Sequence, residues 1–232
     1  MSHYRVAVFA NKPWEFEDLL APYSEADEEY FEFIPLAEDK LEWLRTFYKE
    51  HSVKAESFEE FLTSEGYVNS EEDGSVIGFY ANPHAKWDWY SLDGGAWQFE
   101  VLPEFAADDG DLRKNAYNYI DPEYDESRAR KTYKRYKMIV DNGEDPYGTI
   151  SLEEAQEFIQ DYPDEEFYLL ACKWIYPYAF ITPDGEWHAP GEVGWFGASS
   201  DTAESMMSYI KEWVAFIESD ANPFVNFVDC HI

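Results

Sequence analysis

The chain has 232 residues, of which 49 are Asp or Glu and only 17 are Lys or Arg, so its formal net charge is −32. A surface this negative repels nucleic-acid phosphates and anionic lipids, which argues against direct binding to either and favours a cationic partner. Aromatic residues make up 19% of the sequence, far more than disordered acidic chains contain. We therefore expect a folded protein with a substantial core.

The sequence contains no stretch that approaches the roughly 20 apolar residues needed to span a bilayer. The opening residues MSHYRVAVFA also lack the apolar run of a secretory signal. We therefore expect a cytoplasmic protein with no membrane partner. In that compartment Cys172 and Cys230 should be reduced rather than joined in a disulfide.

The first half of the chain alternates between short apolar runs and acidic amphipathic segments. Residues 4–10 form an apolar run that predicts a strand. Periodic apolar positions predict helices over 41–51 and 57–64. Strands are predicted over 75–80 and 97–102, on either side of a loop rich in Trp and Gly.

The second half begins with residues 103–124, which are acidic and weakly periodic and indicate an inserted segment or a long surface loop rather than a linker between domains. Helices are predicted over 125–140 and 151–160, followed by central strands within the aromatic run 167–181. A last helix, capped by Asp201, leads to a final apolar strand over 224–232.

This order of elements lacks both the regular strand–helix alternation of a parallel sheet and a glycine-rich phosphate loop. It predicts the α+β class: a single domain over 1–232 with a mostly antiparallel mixed sheet, flanked by amphipathic helices. The first and last strands, both apolar, are expected to be neighbours in that sheet.

The predicted helix 125–140 contains six of the 17 basic residues within ten positions. Like charges at Arg130 and Lys134 destabilise a helix unless acidic groups neutralise them. We therefore expect this helix to dock on the protein's own acidic surface, or on that of a second copy in a homodimer, rather than on nucleic acid.

An aromatic segment is the strongest candidate for a small-molecule site. Aromatic rings beside polar groups can stack on sugars or bases, although buried Trp and Tyr in a tight turn would look the same in sequence. The residues of this candidate cleft are His84, Trp87, Asp88, Trp89, Tyr90 and Trp97.

Metal binding is a weaker hypothesis, with His188, Asp229 and His231 as the candidate ligands. Strand alternation places Asp229 and His231 on one face and Cys230 on the other, which also separates Cys230 from His231 as a nucleophile and base pair. No CxxC, HExxH or EF-hand spacing is present. The sequence therefore predicts no metal, no other cofactor and no catalytic residue.

Several motifs resemble a family of uncharacterised proteins from phages and mobile elements of bacteria. They are K-W-D-W-Y-x-x-x-G-G-x-W from Lys86, L-A-P-Y-S-E from Leu20, P-Y-A-F-I-T-P-D-G-E-W from Pro177, G-W-F-G from Gly194 and the terminal V-D-C-H-I. The resemblance implies a phage-like setting, and hence the cytoplasm of a host cell, where proteins that counter host defences are common.

Net charge and this setting together predict an interaction protein rather than an enzyme. Its acidic surface would imitate nucleic acid and occupy the basic nucleic-acid-binding groove of a defence complex, such as a CRISPR effector or a restriction enzyme. The alternatives are a merely solubilised or salt-adapted surface, and a binding protein or hydrolase built on the aromatic cleft. The acids expected to contact the partner are Glu153, Glu154, Glu157, Asp161, Asp164, Glu165 and Glu166.

Overall fold

A computed structural model describes residues 3–51, 54–72, 74–91, 113–193 and 199–232. The chain forms two compact units, one built from Met1–Leu20 and Trp87–Ile232 and the other from Ala21–Lys86. Helices and two separate sheets confirm the predicted α+β class. The single domain over 1–232 stays a prediction. Within the described ranges, no helix has the length and hydropathy required to cross a membrane.

Strands and helices follow one another along the chain in an irregular order. The strands are β1 (His3–Ala10), β2 (Glu32–Pro35), β3 (Val68–Asn69), β4 (Ile77–Ala81), β5 (Trp89–Ser91), β6 (Ala179–Ile181), β7 (Trp187–His188) and β8 (Phe224–His231). The α-helices are α1 (Phe16–Leu20), α2 (Glu38–Glu50), α3 (Phe58–Ser64), α4 (Glu126–Asn142), α5 (Leu152–Asp161), α6 (Glu165–Lys173) and α7 (Ala203–Glu218).

The larger unit is organised around a five-stranded sheet with the strand order β5-β8-β1-β6-β7. Strand β1 lies at its centre, parallel to β6 and antiparallel to β8. The remaining pairs, β5 with β8 and β6 with β7, are antiparallel. The prediction that the first and last strands are neighbours in the sheet is thus confirmed, and so is the prediction of a mostly antiparallel sheet.

The core of the larger unit lies between this sheet and α7. Phe9 and Phe180 point from neighbouring strands toward the helix, where their rings lie 5.9 and 5.4 Å from that of Trp213. The polar atoms of the helix's large aromatics find backbone acceptors: Tyr209 donates to the Pro177 carbonyl at 2.6 Å, and the Trp213 indole donates to Ile175 at 3.1 Å. These large rings are therefore buried without the cost of an unpaired polar group.

Helix α7 begins one residue later than the sequence pattern predicts. Thr202, not Asp201, is the N-cap, and it exchanges hydrogen bonds with Ser205 in a capping box. At its other end, the fully buried Lys114 donates from Nζ to the carbonyls of Phe216 at 2.9 Å and Ser219 at 2.8 Å. A cation thus binds the carbonyls that a helix leaves unpaired at its C-terminus.

Lys114 belongs to the predicted insertion 103–124, of which the described portion is 113–124. This portion packs into the larger unit rather than forming a loose surface loop, since Lys114 and Tyr119 are buried. Ile120 forms an isolated bridge with Trp174. Residues 92–112, which include the predicted strand 97–102, lie outside the described residues.

The sequence prediction for 167–181 is wrong over most of its length. Central strands were expected there, but 167–173 belong to helix α6 and only Ala179–Ile181 is a strand. Asp164 explains the helix because its carboxylate accepts the Phe167 N–H at 2.7 Å and caps the first turn.

Helices α4, α5 and α6 pack against one another, and the basic α4 is held by acidic partners as expected. Arg130 donates to Glu126 within α4 at 2.9 Å and to Glu165 at 3.0 Å. Arg135 donates to Asp145, in the loop after α4, at 2.6 Å. The helix ends at Gly143, whose φ of 82° gives a left-handed C-cap.

The smaller unit contains the antiparallel sheet β2-β4-β3 and helices α2 and α3. Its core is formed by Leu44, Phe61 and Leu62. The sheet requires glycine at position 78, because a Cβ there would collide with the Ile34 carbonyl oxygen of the adjacent strand. These elements confirm the helices predicted over 41–51 and 57–64 and the strand predicted over 75–80.

Candidate functional site

The seven acids predicted to contact a partner lie on α5 and at the start of α6. Both helices begin at well-formed caps, which fix their first turns. Ser151 and Glu154 form a capping box with bonds of 3.1 and 2.7 Å, and Asp164 caps α6. The Ser151 backbone N–H, together with its side-chain hydroxyl, lowers the pKa of Glu154. The acids therefore sit on an ordered frame rather than on loose chain.

The structure divides the seven acids into two groups. Glu154 and Asp164 are exposed but serve as capping residues, and the half-buried Glu165 is paired with Arg130. The other four are exposed, and none of them forms an ion pair within the described part of the chain. This group, named here the acidic block, consists of Glu153, Glu157, Asp161 and Glu166.

The loop that leads into α5 is ordered by a buried carboxylate. The Asp145 side chain is 1% exposed and accepts from Arg135, from Thr149 N at 2.9 Å and from Ile150 N at 3.2 Å. These donors hold the pKa of Asp145 well below its usual range. Next to it, Tyr147 is 75% exposed and its ring lies 5.1 Å from the Arg135 guanidinium.

Negative charge is not confined to this part of the molecule. Residues 21–86 carry 16 acids and 5 bases, a net charge of −11, and the larger unit carries the remaining −21. The acidic block is therefore defined by four unpaired carboxylates on two capped helices, and comparable exposed acids such as Glu204 and Glu218 also lie on the capped helix α7.

The structure brings only part of the predicted aromatic cleft together. Trp87 is buried, with its ring edge-to-face against Tyr90 at 4.8 Å, whereas Trp89 is 44% exposed. His84 belongs to the smaller unit, and Trp97 lies outside the described residues.

Asp88 joins this segment to the end of β8. Its Oδ1 lies 2.5 Å from Nδ1 of His231 and also accepts the Trp89 N–H at 2.7 Å. Because an ionised carboxylate can only accept, Nδ1 of His231 carries the proton. The Trp89 ring stacks on the His231 imidazole, with centroids 5.2 Å apart and planes 20° from parallel.

A second histidine–aspartate pair lies beside the first. His3 donates from Nδ1 to both oxygens of Asp229, at 3.1 and 3.2 Å, and its ring meets that of His231 edge-on at 5.0 Å. Asp229 is 1% exposed. Burial lowers the pKa of the neighbouring Arg5, and the charge of Asp229 acts in the opposite direction.

The three metal candidates do not meet. Asp229 and His231 share one face of β8, as alternation predicts, but His188 lies on β7 at the other edge of the sheet. There it donates to Glu212 at 3.2 Å and stacks on Phe180 at 4.5 Å. Among the described residues, no group of three or more His, Cys, Asp or Glu side chains is placed to hold a metal ion.

Sequence reasoning missed His3 and Tyr147. His3 stands at the start of an apolar strand, and only the observed register places it opposite His231. Tyr147 follows an Asp-Pro dipeptide, a turn signal that could have marked it as a loop residue.

Comparison with known proteins gives no match to a family model, to a curated protein or to a solved structure. The resemblance to phage and mobile-element proteins remains a prediction from the motifs.

Proposed function

We propose that this protein binds a basic, nucleic-acid-binding groove of another protein through the acidic block on α5 and α6. The observation that carries the proposal is the exposure of Glu153, Glu157, Asp161 and Glu166 on capped helices, without an ion pair among the described residues. The resemblance to phage proteins makes a host defence complex the first partner to test.

The spacing of the acids on α5 supports a directed surface. Glu153, Glu157 and Asp161 recur every four residues, so they lie along one side of the helix, with a rise of about 6 Å between neighbours. Like charges at this spacing destabilise an isolated helix. Repulsion between these three carboxylates therefore lowers the stability of the free protein. A cationic partner would neutralise the carboxylates and remove that repulsion.

The same spacing limits how closely the surface can imitate nucleic acid. One DNA strand presents a phosphate about every 3.4 Å along the axis, roughly twice the linear density of this helix. The acidic block can therefore engage a few basic side chains of a groove rather than replace a whole duplex.

Tyr147 gives such a contact an apolar anchor. It lies in the loop just before α5, and the bonds to the buried Asp145 hold that loop in one conformation. Rigid, exposed aromatic residues commonly dominate the energetics of protein interfaces.

The proposal is tested with two full-length variants that each lose four negative charges. One neutralises the acidic block by Glu153→Gln, Glu157→Gln, Asp161→Asn and Glu166→Gln. The control neutralises four exposed acids elsewhere, by Glu42→Gln, Asp201→Asn, Glu204→Gln and Glu218→Gln.

Binding to a purified CRISPR effector complex and to a restriction endonuclease is measured from about 0.05 to about 1 M NaCl, with and without competing DNA. The block variant should bind at least about tenfold more weakly at low salt, and the control variant should bind like the wild type. Equal weakening by both variants, binding that persists at high salt, or binding that DNA does not displace would contradict the proposal.

A further inference from the structure

The smaller sheet, β2-β4-β3, has one face toward the core of its unit and one face away from it. Ile77 of β4 packs against that core, so its neighbour Gly78 points to the opposite, outer side. The register aligns Gly78 with Pro35 on β2 and with Val68 on β3. Residues paired across strands share a side of the sheet, as do alternate residues along each strand. The outer sheet face therefore consists of Phe33, Pro35, Val68, Gly78 and Tyr80.

The outer sheet face is apolar and open to solvent. Tyr80 is 44% exposed and Val68 is 40% exposed, and Pro35 is also exposed. Glu32, the one charged residue of these three strands, belongs to the opposite side by alternation. A solvated face of an antiparallel sheet normally carries polar side chains. The described part of the chain therefore leaves an apolar sheet face uncovered.

Aromatic packing gives this face a fixed shape. A Cβ at position 78 would stand 2.6 Å from Cζ of Phe33, so the Phe33 ring lies directly over Gly78. The same ring meets that of Tyr80 edge-to-face, with centroids 5.5 Å apart. Ordered, exposed aromatic residues lose little conformational entropy on binding and are common anchors of protein interfaces.

Carboxylates flank the outer sheet face. Glu71 and Glu72 follow β3 and are exposed, and the exposed Glu32 precedes Phe33 on β2. These three carboxylates form no ion pair with the described residues. Three of the five basic residues of the smaller unit lie on α2, which packs on the inner side of the sheet. Charge complementarity therefore requires basic side chains around the apolar contact of a partner.

The geometry points to a docking site on the outer sheet face for a basic amphipathic helix of a partner protein. The apolar side of that helix would pack over Val68 and Tyr80, and its Lys or Arg side chains would lie beside the flanking carboxylates. A helix fits because sheets bury their apolar faces against helices, as this sheet already does on its inner side. The site does not involve the acidic block and is independent of the function proposed above.

Charge separates this partner from other apolar occupants. Two copies docked through their outer sheet faces would bring the same carboxylates together, which repel one another. An anionic membrane surface is disfavoured by the net charge of −32. The outer sheet face should therefore select a basic amphipathic helix over an acidic one.

The site is tested on the full chain with three fluorescent peptides. The first consists of Leu and Lys, with Leu at helical spacing so that the helix has one apolar side. The second replaces each Lys with Glu, and the third replaces each Leu with Ser. Fluorescence anisotropy at about 0.15 M NaCl should show that the Leu–Lys peptide binds at least about tenfold more tightly than either control peptide.

Methyl ¹H–¹³C spectra of the wild-type protein locate the bound peptide. The Val68 methyl resonances are assigned by their loss in Val68→Thr. We expect them to move saturably as the Leu–Lys peptide is added, because the apolar side of the helix would contact this side chain.

A double variant, Val68→Thr with Tyr80→Thr, tests the apolar contact. Thr keeps the preference for a strand but buries less apolar surface. The affinity of this variant for the Leu–Lys peptide should fall at least about tenfold. The control is Trp43→Gln, which removes a side chain that is 53% exposed on α2, on the other side of the sheet, and should leave the affinity unchanged.

Three outcomes would overturn the inference: binding of the Leu–Lys peptide no tighter than that of the Lys–Ser peptide, Val68 resonances that do not move when the Leu–Lys peptide binds, or equal affinity of the double variant and the wild type. The first two are read from the wild-type protein and so do not depend on how a variant folds. A dimer that sedimentation detects in the wild type and not in the double variant would assign the face to a second copy instead. None of these variants changes the acids of α5 and α6, so a failure here leaves the proposed function standing.

Discussion

Replacing Lys114 with Met should measurably destabilise the larger unit. The buried ammonium donates three hydrogen bonds, to the carbonyls of Phe216 and Ser219 and to the Ser219 hydroxyl at 3.1 Å. Met keeps most of the aliphatic volume but removes the charge and every donor. The C-terminal carbonyls of α7 then lose the cation that binds them.

The structure sets the size of this effect. Hydrogen bonds to a charged group contribute about 1.5–3 kcal/mol each. The Phe216 carbonyl retains other donors, since the Ser219 N–H and hydroxyl also bond to it, so the lower end of that range applies. Relief of the ammonium's desolvation offsets part of the loss. We expect Lys114→Met to lower the free energy of unfolding by about 2 kcal/mol, a fall in Tm of roughly 4–8 °C.

Urea unfolding followed by Trp fluorescence measures this change in the relevant part of the molecule. Eight of the nine Trp residues belong to the larger unit, so the signal reports mainly on it. The control is Lys211→Met, which removes the same charge from the exposed surface of α7 and should change stability by less than about 0.5 kcal/mol. Equal stability of the two variants, or a more stable Lys114→Met, would refute the reasoning and show that desolvation of the ammonium outweighs its bonds.

Three further predictions address the acid response, the smaller sheet and the cysteines. The lowered pKa of Asp145 means that its carboxylate stabilises the folded state above a pH of about 4 and loses this effect as pH falls through its folded-state pKa. The Tm gap between wild type and Asp145→Asn should therefore narrow on acidification, and a constant gap from pH 7 to pH 3 would contradict this. Gly78→Ala should destabilise the smaller unit by about 3 kcal/mol, because the new methyl group collides with the Ile34 carbonyl oxygen. Limited proteolysis should then cleave residues 21–86 faster than in the wild type. An unchanged cleavage rate would count against the collision. Burial raises the pKa of the Cys230 thiol and shields it from reagents. Iodoacetamide should therefore modify the half-buried Cys172 first and react with Cys230 only on unfolding. Mass spectrometry that finds both cysteines labelled in the native protein would disprove this order.

The strands at the two ends of the chain show what hydrophobicity can predict. Both are long apolar runs, which suits the centre of a sheet, and they are indeed neighbours. The register could not be predicted in the same way. Residues 6–10 are all buried, so the strand has no alternation of polar and apolar residues there. Such alternation would have shown which side chains share a face of the sheet. The contact between His3 and His231 depends on that register.

Helix α6 shows where a short apolar run misleads. A run such as 167–173 suits a buried strand or a buried helix equally well by hydrophobicity. The deciding signal was local and polar, because Asp164 stands where an N-cap is needed, three residues before the N–H that it accepts. Capping residues should therefore weigh more than apolar composition in such runs.

The sequence locates the acids of the candidate contact surface, but it does not predict their ion pairs. The sequence identifies the ten acids of 138–172, but it does not show which of them are already used within the fold. Arg130 pairs with Glu165, and Arg135 pairs with the buried Asp145. Those pairings depend on the packing of α4 against its neighbours, which no local pattern encodes.

The pairing of β1 with β8 has a consequence for how the protein is made. Eight residue pairs join these strands, although they are the first and the last of the described elements. During synthesis β1 therefore cannot pair with β8 until the elements between them have been translated. The smaller unit, whose strand pairs β2–β4 and β3–β4 both lie within Ala21–Lys86, can form much earlier on the ribosome. A nascent chain stalled before Phe224 would consequently carry a folded smaller unit and a strand β1 with one edge unpaired, and such an edge is a natural target for chaperones.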